Sequence, residues 1–181
     1  MTGNHSSSEA AAFSFEPQLD EAAFVITYVF DTPRRRVFNA WTQANRLKRW
    51  WGPKGFRMGV CNVDLRPGGA FHYSMRSPEG RDLWGKFIFQ EVVAPERLTF
   101  LNCFSNRTGA PVRHPLSPTW PLEVLTTLTF VEQEGKTTLT LRSVPHAATE
   151  PECQTFRDGH DSMRAGLAAA LEKLARYLAK A

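Results

Sequence analysis

Between residues 57 and 144 large apolar side chains recur at every second position, whereas before and after that region they recur every three or four. A period of two belongs to strands with one covered face, and a period of three to four belongs to helices with one buried stripe. Phe71-His72-Tyr73-Ser74-Met75-Arg76 shows the first pattern, with its large apolar groups on one parity and polar groups on the other. Leu98, Phe100 and Phe104 repeat it, with Asn102 as a polar intruder. Strands are predicted at 57–66, 70–77, 82–93, 97–105, 122–133 and 137–144, preceded by a β-branched and aromatic strand at 22–30. Most boundaries are turn signals such as Pro67-Gly68-Gly69, Ser77-Pro78-Glu79-Gly80, Ala94-Pro95-Glu96 and Glu134-Gly135-Lys136. Connections this short imply antiparallel neighbours. The exception is residues 106–121, a longer loop with four prolines, of the length that often serves function.

The helical segments carry their own punctuation. Thr32-Pro33 reads as an N-cap followed by proline at the first helical position. Val37, Phe38 and Trp41, then Leu47 and Trp50, predict two short helices joined near Gln43 and ended by Gly52-Pro53. Near the end of the chain Thr149-Glu150-Pro151-Glu152 is a capping box. Phe156, His160, Met163, Leu167, Leu171, Leu174 and Leu178 then share one face of a helix predicted over 150–180, ~45 Å long at about 1.5 Å per residue. Gly159 and Gly166 interrupt it, each at a cost of about 1 kcal/mol, which points to close approach by another element or a bound molecule. The order is strand, two short helices, six strands, long helix. It fits an α+β fold in which a curved seven-stranded antiparallel sheet is closed on its concave face by the terminal helix. Residues 1–20, rich in Ser, Ala and Glu without periodicity, read as a flexible leader before one domain at 21–181.

Composition narrows the function classes. The chain has 181 residues, 42% of them apolar, with thirteen Phe and five Trp, which favours a substantial core or an apolar pocket. The net charge is +4, but the cations are scattered. Arg34-Arg35-Arg36 is the densest run and reads as a solvated helix face, so no nucleic-acid partner is expected. No apolar run reaches the ~20 residues of a membrane span, and the first residues lack the pattern of a secretory signal. Cys61, Cys103 and Cys153 are odd in number and far apart. That fits a reducing cytoplasm better than a disulfide framework, and it gives no zinc-knuckle spacing. His146, Cys153 and His160 are seven apart, too far to share a helical face as metal ligands. Neither a metal nor a cofactor is called for.

Six motifs occur in order: Trp50-Trp51-Gly52-Pro53-Lys54-Gly55-Phe56, Asp64-Leu65-Arg66-Pro67-Gly68-Gly69, Ser77-Pro78-Glu79-Gly80, Trp84-Gly85, Pro95-Glu96-Arg97-Leu98 and Gly159-His160-Asp161-Ser162-Met163. Together they make residues 22–180 resemble the family named after the activator of the Hsp90 ATPase, within the START and Bet v 1-like superfamily of helix-grip folds. The resemblance implies a cavity between sheet and long helix that holds apolar ligands in other members. It does not imply an activity, since relatives include lipid carriers, hormone receptors, polyketide cyclases and co-chaperone domains. One departure is Leu167, where members often carry tryptophan.

The candidate site follows. Neighbouring residues on a helix do not face the same way, so Trp50 and Trp51 diverge. One ring can enter a pocket mouth, or both can plug the core. Phe71, Tyr73, Met75, Phe87, Phe89 and Phe104 are candidate walls, with core packing as the competing reading. Met163 and Leu167 extend the wall along the helix. His114 and Trp120 lie in the proline-rich loop, which can serve as a lid. His160 shares the helical stripe of Phe156 and Met163 and is a candidate acid or base, with Asp64 as a conceivable partner; satisfaction by a neighbouring backbone group is the alternative. Three readings stay open. The first is a carrier of a small hydrophobic or aromatic molecule, and the second a cyclase- or hydratase-like enzyme using His160. The third is a co-chaperone-like interaction domain or a homodimer through a sheet edge. No second domain that would help it grip a chaperone is expected.

Overall fold

In the computed structural model, which describes residues 21–181, the alternating segments pair into one curved antiparallel sheet. The leader expected at 1–20 lies outside the described residues. The strands are β1 (Phe24–Phe30), β2 (Arg57–Val63), β3 (Ala70–Arg76), β4 (Asp82–Val93), β5 (Arg97–Ser105), β6 (Pro111–Val112), β7 (Glu123–Gln133) and β8 (Lys136–His146). Their spatial order is β1-β8-β7-β5-β4-β3-β2, with β6 attached to β5. Seven strands thus form the continuous path. The eighth arises inside the proline-rich loop, where Phe104 pairs Val112 and Ser105 pairs Pro111. Two residues are too few for a period to register in the sequence.

Alternation determines the covered face. Val124, Thr126, Leu128 and Phe130 of β7 are buried, as are Thr137, Leu139, Leu141 and Ser143 of β8. Against this face pack α1 (Arg34–Thr42), α2 (Ala44–Trp50), α3 (Glu150–Asp158) and α4 (His160–Lys180). Leu171, Leu174 and Leu178 of α4 are at most 2% exposed, so the far end of the terminal rod is anchored in the core. The Arg36 guanidinium donates to the Leu178 carbonyl at 3.1 Å, supplying a partner that the last turn lacks. The whole is a helix-grip fold.

Two helix termini differ from the sequence reading. The N-cap of α1 is Pro33, and no side chain of its own caps it. Instead Glu132 of β7 accepts from the Arg34 backbone N–H at 2.8 Å, so a carboxylate from the sheet meets the positive helix end. Thr32 is buried and its carbonyl accepts from the Thr137 hydroxyl at 2.6 Å, which commits it to the strand. The rod, predicted as one helix, breaks at Gly159. There the N–H reaches both Thr155 O at 3.1 Å and Phe156 O at 3.2 Å. The capping box at its start is present, with Thr149 N–H donating to Glu152 Oε2 at 2.9 Å and Glu152 N–H to Thr149 Oγ1 at 3.4 Å.

Candidate functional site

The site begins at the corner after α2. Trp50 is fully buried and its indole N–H donates to Ala40 O at 2.9 Å, so it belongs to the core and lines no cavity. Trp51 turns the other way. Its ring makes edge-to-face contacts with Trp41, Trp50, Phe71, Tyr73 and Phe87, with centroids 5.4–6.3 Å apart. The divergence depends on Gly52, whose φ is +104° and whose Cβ, were there one, would stand 2.5 Å from Met75 Sδ. Any other residue there would be strained and would displace Met75.

Trp51 faces a chamber of about 160 Å³ between sheet and rod, partly open to solvent. Tyr73, Phe87 and Phe100 come from the sheet, Trp41 from α1, Phe156 from α3, and Met163 and Leu167 from α4; Trp120 closes one side from the proline-rich loop. Polar groups are few and ordered. Thr126 Oγ1 donates to Asn102 Oδ1 at 2.8 Å and lies 2.7 Å from the Ser143 hydroxyl. With its one hydrogen used on Asn102, Thr126 must accept from Ser143. This row leaves the Asn102 amide NH₂ as an available donor beside an otherwise aromatic wall. Trp41 is 2% exposed and has an indole N–H with no hydrogen-bond partner among the described residues. Burial pushes the Tyr73 phenol up to about 12, opposed by the adjoining Trp51 indole. Tyr73 is therefore neutral and another potential donor at any physiological pH.

Outside the chamber, a groove of about 730 Å³ runs between α4 and the Gly52–Gly55 corner. The two spaces share Trp51, Met163 and Leu167 as a common wall. Met75 and Pro53 floor the groove, and Gly166, Ala169 and Ala170 form a low helical side. Lys54, Lys173 and Arg176 stand around it with one carboxylate, Glu172. Lys173 is half-buried and reaches only the Gly52 carbonyl, at 3.4 Å. Burial first, and the Arg176 guanidinium second, hold its pKa below the usual lysine range.

The remaining candidates lie apart from this chamber. Phe71 is 1% exposed and packs behind Trp51, 6.3 Å between centroids. Phe89 is equally buried. Phe104 lies beside Tyr73 and Trp120 in a side recess of about 90 Å³, with its ring against His114. His160 does not line the chamber. Its Nε2 lies 3.0 Å from Ala22 O, and its ring sits between Phe24 and Phe156. His160 thus shares the stripe of Phe156 and Met163 but meets the residues around the start of β1. Asp64 accepts from Arg66 Nε at 2.8 Å within an exposed turn. The two residues have separate partners and form no acid–base pair. Trp41, Phe100, Thr126, Ser143 and Lys173 are not among the site candidates that the sequence suggests. Thr126 and Ser143 could have been found, since each is a polar residue on the apolar parity of its strand. Among the described residues no cluster of His, Cys, Asp or Glu could hold a metal, and no helix is long and apolar enough to cross a membrane.

A sheet gripping a helical rod, with an aromatic chamber between them, defines a helix-grip domain of the ligand- or partner-binding kind. The family model described as activator of Hsp90 ATPase homolog 1-like protein matches residues 31–179, and the chain belongs to that family. A protein from Arthrobacter aurescens solved by NMR is 26% identical, with a TM-score of 0.74, over 90% of this chain and 89% of that one. A crystal structure from Mycobacterium smegmatis is also 26% identical, with a TM-score of 0.72 over 88% and 92%. A family protein from Silicibacter pomeroyi, 18% identical at a TM-score of 0.64 over 87% and 97%, shares the fold. No curated protein sequence matches.

Proposed function

We propose that this protein binds a small hydrophobic or aromatic molecule in the space between sheet and terminal rod, without itself providing a catalytic group. One observation carries the reading: an aromatic chamber of about 160 Å³ shares a wall with an apolar groove of about 730 Å³. The shared wall includes Met163 and Leu167. The unbranched methionine can change rotamer to join the two spaces. A combined pocket falls in the range of roughly 300–1,000 Å³ typical for small-molecule sites. The Asn102 amide and the Tyr73 hydroxyl would orient an acceptor atom at the inner end. Acid–base chemistry finds no support, because His160 and Asp64 are engaged elsewhere.

Solvent extraction of the purified protein followed by mass spectrometry tests this reading, together with NMR titration of naphthalene-type probes. The expected result is a bound apolar or aromatic compound, with shifts at Trp51, Met163 and Leu167. The Leu167→Trp variant fills the shared wall and should lose binding while remaining folded. A folded wild-type protein that carries nothing and binds no probe overturns the reading.

A further inference from the structure

Resting on the reading above, we infer that the ligand is an anion: a carboxylate with an apolar or aromatic body, its body on the Trp51–Met163–Leu167 wall and its carboxylate held by Lys173. Three cations and one carboxylate border the groove, so its electrostatic field favours negative charge. Lys173 is the one of the three that is half-buried, with Lys54 and Arg176 exposed. An ammonium offers three donors and no acceptor. Here it finds a single neutral carbonyl at 3.4 Å, longer than an ordinary N–H···O bond, and among the described residues no carboxylate pairs with it. Glu172 is its immediate neighbour on α4, and adjacent helical residues point apart. Withdrawing a charge from water without a counter-charge is unfavourable, and the lowered pKa of Lys173 expresses that cost. A ligand carboxylate in the groove would supply the missing partner. At the chamber end the Asn102 amide and the Tyr73 hydroxyl can each donate, so a ligand with a carbonyl or ether oxygen at its far end would suit both ends.

The test compares 2-naphthylacetate with its methyl ester, titrated into the full chain and followed by calorimetry and NMR. A charge-assisted hydrogen bond in a partly dry site predicts that the acid binds about tenfold more tightly than the ester. Lys173→Met keeps most of the stem but removes the ammonium. It should weaken the acid to the level of the ester and leave the ester unchanged, while Lys173→Arg should retain a preference for the acid. If acid and ester bind wild type equally, or the preference survives in Lys173→Met, the anion assignment falls while the pocket reading stands. If neither compound binds, both fall together.

Discussion

The two glycines of the terminal rod occupy opposite environments although each interrupts the same apolar stripe. At Gly159 a Cβ would stand 3.0 Å from Trp120 Cζ3, with the Phe156 and Thr155 carbonyls at 3.5 Å. At Gly166 a Cβ would meet nothing within 4 Å. The first end is closed: the Trp120 and Phe156 rings meet at a tilt with centroids 5.4 Å apart, and Arg113 both bonds Trp120 O and pairs with Glu152 at the start of α3. The second is open, with Gly166, Ala169 and Ala170 leaving the groove beside them unfilled. The same residue type therefore marks tight packing in one place and withheld packing in the other. Only the environment distinguishes them.

The largest effect that could break this contrast is at the closed end. Phe156→Ala, removing a fully buried ring, should cost roughly 3–5 kcal/mol in urea unfolding. Met163→Ala on the half-buried shared wall should cost markedly less, and equal losses would erase the distinction. Gly159→Val should destabilise by about 1–3 kcal/mol by driving Trp120 from its place, visible as lost contacts from Trp120 to Phe156 in NMR. Glu152→Gln removes the carboxylate that fastens loop to rod and should cost about 1 kcal/mol at neutral pH. Its pH dependence has a definite sign. Burial raises the Glu152 pKa, but the Thr149 N–H and the Arg113 guanidinium outweigh it and leave the carboxyl below its ordinary value. In acid the unfolded chain therefore takes up the proton first. The contribution is complete above the unfolded value of about 4.3 and is lost as pH falls through it toward the lower folded pKa. Wild type and Glu152→Gln should converge there in acid denaturation. The smallest effect lies at the open end, where Gly166→Ala should gain about 1 kcal/mol from helix propensity alone. A loss at Gly166 would mean that the groove is occupied by structure.

Much of the frame was legible because it is encoded locally. The capping box at Thr149 and the strands 82–93 and 97–105 follow from neighbouring residues, and the structure has them. The failures share a cause: each depends on a residue far along the chain. Glu132 caps α1 from 98 positions away, so Thr32-Pro33 alone could not reveal which group does the capping. The absence of a side chain at Gly159 makes room for the Trp120 ring, which the helix sequence does not contain. For His160 the stripe gives a direction without saying which part of the sheet lies there; the backbone-satisfied alternative is the one found, with Ala22, 138 residues earlier, as the partner. The site divides likewise. Aromatic parity picked out Tyr73 and Phe87, whereas Lys173 looks like any helical lysine until the Gly52 corner folds against it.

The aromatic corner also makes the protein its own spectroscopic probe. Three of its five tryptophans, Trp41, Trp50 and Trp51, touch one another with ring centroids 4.9–5.7 Å apart. Rings that close share excitation, so light absorbed by any of them can be emitted from the one beside the chamber. A molecule settling against Trp51 would then alter the emission of the whole trio, and occupancy could be followed without attaching a dye.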